Sequence, residues 1–242
     1  MINITKKDIL ECGLHFGHSK KNWNPAMKEY IFGEREDTLI IDIDHTISAF
    51  RKACALVEQL AYEGKTILFI GTKRQAKDTI KENALRCNMP YVSEKWVGGL
   101  LTNFETIKKS ILELNKLEEI ENFANKNYKP RELAIFNRKL KQLKRKYGGI
   151  KHMENLPDIA LIIDIKNENL AIKEASKFGC FTIGLVDTDS NPKDVDLCIP
   201  GNDDAIKGIN LVVSKIADAF LLGKNKSVQE REITNEKKET SN

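Results

Sequence analysis

Four stretches carry side chains whose types and spacing could do chemistry. Gly71-Thr72-Lys73-Arg74 follows an apolar run and leads into a helical pattern. It presents a glycine, a hydroxyl and two cations at a helix start, which suits an anion, either a nucleotide phosphate or a backbone phosphate of RNA. His15-x-x-His18 is the one close histidine pair. As a metal site it would need two further ligands from far along the chain, for instance from the late aspartates, whereas in a basic arm it fits hydrogen bonding or contact with phosphates. Cys12 lies near both histidines and could be a thiol nucleophile, although isolated cysteines commonly act as small apolar fillers. Lys20-Lys21-Asn22-Trp23-Asn24-Pro25-Ala26-Met27-Lys28 interleaves cations with an aromatic ring and amides. The cations suit phosphates, and Trp23 either stacks on a base or plugs the arm into its own domain.

Several chemistries lack their residues. There is no G-x-G-x-x-G after a strand and no G-x-x-x-x-G-K-[ST], the two glycine-rich loops through which a backbone cradles nucleotide phosphates. There is no G-x-S-x-G elbow for a hydrolase. The five cysteines form no C-x-x-C pair, which argues against a zinc ribbon or a disulfide framework and fits a reducing cytosol. No apolar stretch approaches the roughly 18 residues of a membrane span, and the N-terminus shows no apolar signal core, so a cytoplasmic protein is expected.

Charge is unevenly placed. The 242 residues carry 39 Lys+Arg and 35 Asp+Glu, a net +4. Residues 103–152 hold 13 basic and 6 acidic side chains, a local +7, so the remainder sums to −3. A basic protrusion on a near-neutral body suits a polyanion bound through one face; a solvated, lysine-rich helical pair is the plainer reading. The acids concentrate late, at Asp187, Asp189, Asp194, Asp196, Asp203 and Asp204.

These stretches must be positioned by the elements around them. Thr5 with Asp8 predicts a capped first helix. Residues 13–25 read as an extended arm. Leu39–Ile43 reads as a strand, followed by a helix with apolar residues every three or four positions that Gly64 ends. Thr66–Ile70 is a buried strand, a helix follows Lys73 and runs to Cys87, and Tyr91–Ser93 is a short strand. From Asn103 the stripes Ile107-Ile111-Leu114-Leu117-Ile120 and Leu133-Phe136-Leu140-Leu143-Tyr147 predict two amphipathic helices, the second opened by Pro130. They read as an antiparallel coiled-coil hairpin. Strands at Ile159–Ile163, Phe181–Val186 and Leu197–Ile199 alternate with a helix over 168–178. Asn202 caps a last helix reaching Leu222, beyond which the polar composition predicts disorder. The alternation implies a doubly wound parallel α/β sheet interrupted by the hairpin. The expected organisation is a helix and arm over 1–38, an α/β domain over 39–102 and 149–223, the hairpin over 103–148, and a disordered tail over 224–242.

An ordered set of motifs then bears on identity. It comprises Gly13-Leu14-His15-Phe16-Gly17-His18, Trp23-Asn24-Pro25-Ala26-Met27, Ile31-Phe32-Gly33, Phe69-Ile70-Gly71-Thr72-Lys73-Arg74 and Trp96-Val97-Gly98-Gly99-Leu100-Leu101-Thr102-Asn103. Gly148-Gly149-Ile150, Leu156-Pro157-Asp158, Val186-Asp187-Thr188-Asp189-Ser190-Asn191-Pro192 and Ile199-Pro200-Gly201-Asn202-Asp203-Asp204-Ala205-Ile206 continue it. From Ile4 to Leu222 the chain resembles the bacterial-type ribosomal protein S2 family of the small subunit, bacterial or organellar. The resemblance implies a flavodoxin-like three-layer α/β/α sheet with a protruding hairpin. It implies no catalytic residue, no cofactor and no homo-oligomer. It also implies a place against small-subunit ribosomal RNA near the head–body junction, beside neighbouring proteins that include a large messenger-recruiting protein of repeated OB-folds. The candidate rRNA-binding residues are His15, His18, Lys20, Lys21, Trp23, Lys28, Lys73, Arg74, Lys95, Asn103, Lys108 and Lys109. The competing reading is a nucleotide-dependent enzyme on the same sheet, which the absent phosphate loops disfavour.

Overall fold

Runs of apolar residues four to six long, separated by turn residues, become strands covered on both faces. The computed structural model describes residues 4–127 and 129–239, the side chains of 122–127 and 231–239 excepted. Helix α1 (Lys6–Glu11) opens as its sequence predicts. The Asp8 amide donates to Thr5 Oγ1 at 3.2 Å, and the Thr5 amide donates to Asp8 Oδ2 at 2.9 Å.

The arm is more structured than its composition suggests. It forms β1 (Phe16–Ser19), two short 3-10 turns (Lys20–Asn22 and Pro25–Tyr30) and β2 (Ile31–Arg35). Strand β3 (Thr38–Ile41) pairs antiparallel with both, in the order β1-β3-β2. The Leu39–Ile43 run therefore does not enter the parallel sheet. Both edges of β3 are taken by the arm, and Ile43 already begins α2 (Ile43–Tyr62), at whose N-terminus Asp42 accepts from the Asp44 amide at 2.8 Å.

The second sheet holds β4 (Ile67–Ile70), β5 (Tyr91–Val92), β6 (Ile159–Ile163), β7 (Phe181–Val186) and β8 (Leu197–Pro200). All pair parallel in the order β5-β4-β6-β7-β8. The direction of progression reverses at β4, so a doubly wound crevice opens at the C-terminal ends of β4 and β6. The crossovers use α3 (Lys77–Cys87), the pair α4 (Phe104–Asn127) and α5 (Pro130–Tyr147), and α6 (Asn169–Lys177). Helix α7 (Ile206–Glu239) follows β8. Among the described residues no helix is long and apolar enough to cross a membrane.

Alternate residues of each strand face opposite layers, as pleating requires. Ile67, Phe69, Ile159, Leu161 and Ile163 pack with α2, α3 and α7, while Leu68, Ile70, Ala160 and Ile162 pack with α6 and with the near ends of α4 and α5. The second cluster includes Phe104, Ile107, Ile111, Leu114, Leu140 and Tyr147. Residues of the segment 103–148 thus share a buried cluster with the parallel sheet.

Helix α7 also outruns its expected end. Its buried face, Ile209 to Phe220, packs in the α2 layer, and the helix continues through Lys224 to Glu239. Lys226 pairs with Glu58, and Tyr62 bonds Glu230. The polar composition after Leu222 predicts disorder over 224–242, of which 240–242 lie outside the described residues. A helix already nucleated by packing extends at little cost per residue, and Lys, Glu and Gln are good helix formers.

Candidate nucleic-acid interface

The crevice at the strand ends is filled by the protein's own side chains. Lys73 leaves β4 and turns inward, its ammonium 2.6 Å from Asp203, 2.6 Å from Asp204 and 3.5 Å from Asp164. Asp164 follows β6, and Asp203 and Asp204 follow β8. The side chain is 16% exposed, so this cation is committed to carboxylates rather than offered to a phosphate. The anion expected at Gly71–Arg74 is supplied internally. Glu168 accepts from the Thr72 amide at 3.0 Å and from its hydroxyl at 2.5 Å. Burial pushes the Glu168 carboxyl up, and the Thr72 hydrogen bonds partly offset this. Arg74, next in sequence, stays exposed.

His18 joins the small sheet to the same cluster. Its Nδ1 lies 3.0 Å from Asp187 Oδ1 and its Nε2 lies 3.4 Å from Asp204 Oδ2. The Asp187 contact outweighs burial and, with Asp189 and Asp203 nearby, pushes the imidazole up to about 9. Nδ1 makes no hydrogen bond in this geometry, so the contact with Asp187 is an ion pair. Asp203 is pushed up to about 7, first by burial and then by the Asp187 and Asp164 carboxylates, against the pull of Lys73. Lys73 is raised in turn: desolvation opposes its charge, but the aspartates around it prevail. The small sheet is clamped close here. The His18 amide donates to Thr188 Oγ1 at 2.8 Å, the Asn24 amide donates to the Thr188 carbonyl at 2.7 Å, and a Cβ on Gly17 would stand 2.5 Å from Thr188 Cγ2. Among the described residues no three His, Cys, Asp or Glu side chains are gathered so as to hold a metal ion.

The remaining candidates lie on the arm, in the connection after β5 and at the start of α4. His15 packs its ring 4.1 Å from that of Phe16, with Nδ1 buried and unpartnered. Lys20 pairs with Glu34 at 2.6 Å across the small sheet. Lys21 and Lys28 are exposed and Trp23 is half-buried between the two 3-10 turns. Lys95 is exposed just before the helical pair. Asn103 accepts from the Thr106 hydroxyl at 2.8 Å at the start of α4. Lys108 lies 4.9 Å from the centre of the Phe104 ring and 3.3 Å from Glu105, and Lys109 is exposed.

The local charge excess belongs to one helix. Helix α5 carries seven Lys and Arg against Glu132 alone, whereas α4 has four Lys and five Glu. The two helices are laced by Lys139–Glu113 and by Lys144–Glu121 at 2.8 Å, over buried Leu114 and Leu140. Arg131, Arg138, Lys141 and Lys146 on α5 are exposed, with no carboxylate within ion-pair distance among the described residues.

One residue that sequence reasoning missed is Glu174 on α6. It is 5% exposed and receives five hydrogen bonds from the Trp96–Thr102 stretch. Burial raises this carboxyl, but the bonds from Gly99, Trp96, Leu101 and Thr102 overcome it and leave it below the usual range. Gly99, Leu101 and Thr102 of that motif wrap a buried anion just before α4 starts.

Comparison with known proteins agrees with the motifs. The family described as "Ribosomal protein S2" matches residues 9–223. A protein named small ribosomal subunit protein uS2 from Koribacter versatilis (strain Ellin345) is 47% identical over 224 residues, 92% of this chain and 74% of the relative. Proteins of the same name from Geotalea uraniireducens (strain Rf4) and from a Nitratiruptor species are each 46% identical, over 92% and 98% of this chain and 88% of each relative. With a match of that extent and identity, the chain belongs to the ribosomal protein S2 family.

Proposed function

We propose that this chain binds small-subunit ribosomal RNA near the head–body junction and helps dock the large multi-OB-fold messenger-binding protein. Its family makes it a structural, non-enzymatic constituent of the small ribosomal subunit, acting in translation. The observation that carries the RNA reading is the one-sided charge of α5, seven cations to one acid, with Arg131, Arg138, Lys141 and Lys146 exposed and without a carboxylate within ion-pair distance among the described residues. Unpaired cations on a rigid element attract a polyanion and release its counterions. We read α4 and α5 as a coiled-coil hairpin and the parallel sheet as flavodoxin-like. In that reading Lys21, Lys28, Arg74, Lys95 and Lys109 add phosphate contacts, and Lys73 and His18 hold the small sheet in place. The docking role rests on the family resemblance.

Sedimentation of a native lysate tests the assignment. Co-migration of the chain with small subunits is expected, and a free pool of small complexes would sink it. Subunits assembled without the chain should carry less of the multi-OB-fold protein; equal occupancy would remove the docking role.

A further inference from the structure

We infer that a basic cavity between the end of α5 and the edge strand β5 takes a backbone phosphate of RNA. The cavity, about 140 Å³, is lined by Lys81 of α3, Ser93 and Glu94 after β5, and Lys144, Arg145 and Lys146 of the last turn of α5. The lining holds four cations and one carboxylate; Lys144 is paired with Glu121 at 2.8 Å, and Glu94 is engaged 3.2 Å from Lys77 Nζ and 3.0 Å from Arg145 Nε, which leaves Lys81 and Lys146 for an outside anion. Lys81 and Lys146 are exposed and have no carboxylate within ion-pair distance among the described residues. Ser93 is 8% exposed, yet its hydroxyl makes no hydrogen bond among the described residues. The hydroxyl is open to solvent at the cavity wall, and such a donor beside cations matches the oxygens of a phosphodiester.

Backbone geometry holds the cavity in shape. A Cβ on Gly149 would lie 2.2 Å from the Tyr91 carbonyl oxygen, so only glycine lets the return from α5 touch β5 and close the floor. The cavity also lies at the end of a track. Lys141 and Arg138 follow Arg145 up α5 at spacings of four and three, on one helix face about 10 Å long. A strand anchored in the cavity has further cations for its next phosphates. Complementing the helix dipole, the ordinary role of last-turn cations, accounts for neither Lys81 nor the open Ser93 hydroxyl.

The inference rests on the RNA-binding reading, and the test separates the two. Affinity of the full chain for small-subunit rRNA is measured over a salt series. Lys81→Gln with Lys146→Gln removes two cations without orphaning an acid. Lys52→Gln with Lys173→Gln removes the same charge from exposed positions on α2 and α6. The cavity pair should weaken binding about tenfold and flatten the slope of log affinity against log salt by about 1.4–1.8, clearly more than the matched pair. Ser93→Ala should weaken binding a few-fold and leave the slope unchanged. Equal effects of the two lysine pairs would overturn the cavity while RNA binding stands. Failure of the unaltered chain to bind rRNA would remove the RNA reading and the cavity with it. Inorganic phosphate, titrated at matched ionic strength, should shift the Ser93 and Gly149 amide signals only in the millimolar range. Micromolar saturation would assign the cavity to a small phosphate compound and overturn the proposal.

Discussion

Replacing Glu174 tests whether one buried carboxylate holds the junction between the α/β body and α4. Its Oε1 accepts from Trp96 Nε1 at 3.2 Å and the Gly99 amide at 2.8 Å; its Oε2 accepts from the Leu101 amide at 3.0 Å and from the Thr102 amide and hydroxyl at 3.2 Å. In Glu174→Ala the donors of Gly99 and Thr102 can turn to water, because both are partly exposed. The Trp96 indole and the Leu101 amide cannot, since those residues are 7% and 1% exposed. Two orphaned buried donors at about 1–3 kcal/mol each give a loss of about 2–6 kcal/mol. For a chain of this size that lowers the melting temperature by about 4–24 °C. Glu174→Gln keeps the volume but turns an NH2 toward one pair of donors, so it should fall between. The carboxyl is held below its usual 4.5, so its stabilisation is present above the unfolded value and lost as pH falls through the folded one. The gap between wild type and Glu174→Gln should therefore narrow below about pH 4.5. Thermal unfolding with amide hydrogen exchange at Gly99, Leu101 and Thr102 reads both effects. If Glu174→Ala melts within about 2 °C of wild type and those amides stay protected, packing of Trp96, Leu100 and Leu101 holds the segment and the carboxylate argument fails.

Other consequences are equally direct. His18 and Asp203 both titrate above their unfolded values, at about 9 and about 7, so their stabilisation is full at low pH and is lost as pH rises through those values. Stability should decline from about pH 4 to 7 through Asp203 and from about pH 6.5 to 9 through His18, and His18→Gln should flatten the upper part of that decline in melting scans; an unchanged profile would refute the ion pair. Gly149→Ala forces a Cβ onto the Tyr91 carbonyl and should cost about 1–3 kcal/mol, whereas Gly33→Ala meets nothing within 4 Å and should be near neutral in denaturant titration. Replacing 105–147 by a short linker should abolish cooperative unfolding, because it removes Ile107, Ile111, Leu114, Leu140 and Tyr147 from the core. Replacing only 116–138 should leave a folded body, and a cooperative melt from the longer deletion would show the core complete without these residues.

What could be read in the sequence, and what could not, divides by the range of the interactions involved. Strands β4, β6 and β7 were legible because parallel strands covered on both faces read as unbroken apolar runs. Their ends agree to within a residue, as does the start of α5 at Pro130. The run Leu39–Ile43 has the same character, and nothing local says which sheet will accept it. That is decided when Phe16 and Gly33, on two different strands, both come to pair with Ile40. The partners of Lys73 are hidden for the same reason. Gly-Thr-Lys-Arg after a strand has the composition of an anion-binding turn, and the carboxylates that claim the lysine lie 91 to 131 positions away, at Asp164, Asp203 and Asp204. Glu174 left a trace that periodicity alone exposes. Ala171, Ile172 and Ala175 form the buried face of α6, and Glu174 sits three positions from Ala171, on that face. A carboxylate on an apolar stripe must find donors or stay protonated. A stretch with paired glycines and Thr102, whose amides no helix or strand was predicted to use, was the natural place to look for them. The motif and the acid were each visible; the pairing was not, because 72 to 78 residues separate Glu174 from the groups that bind it.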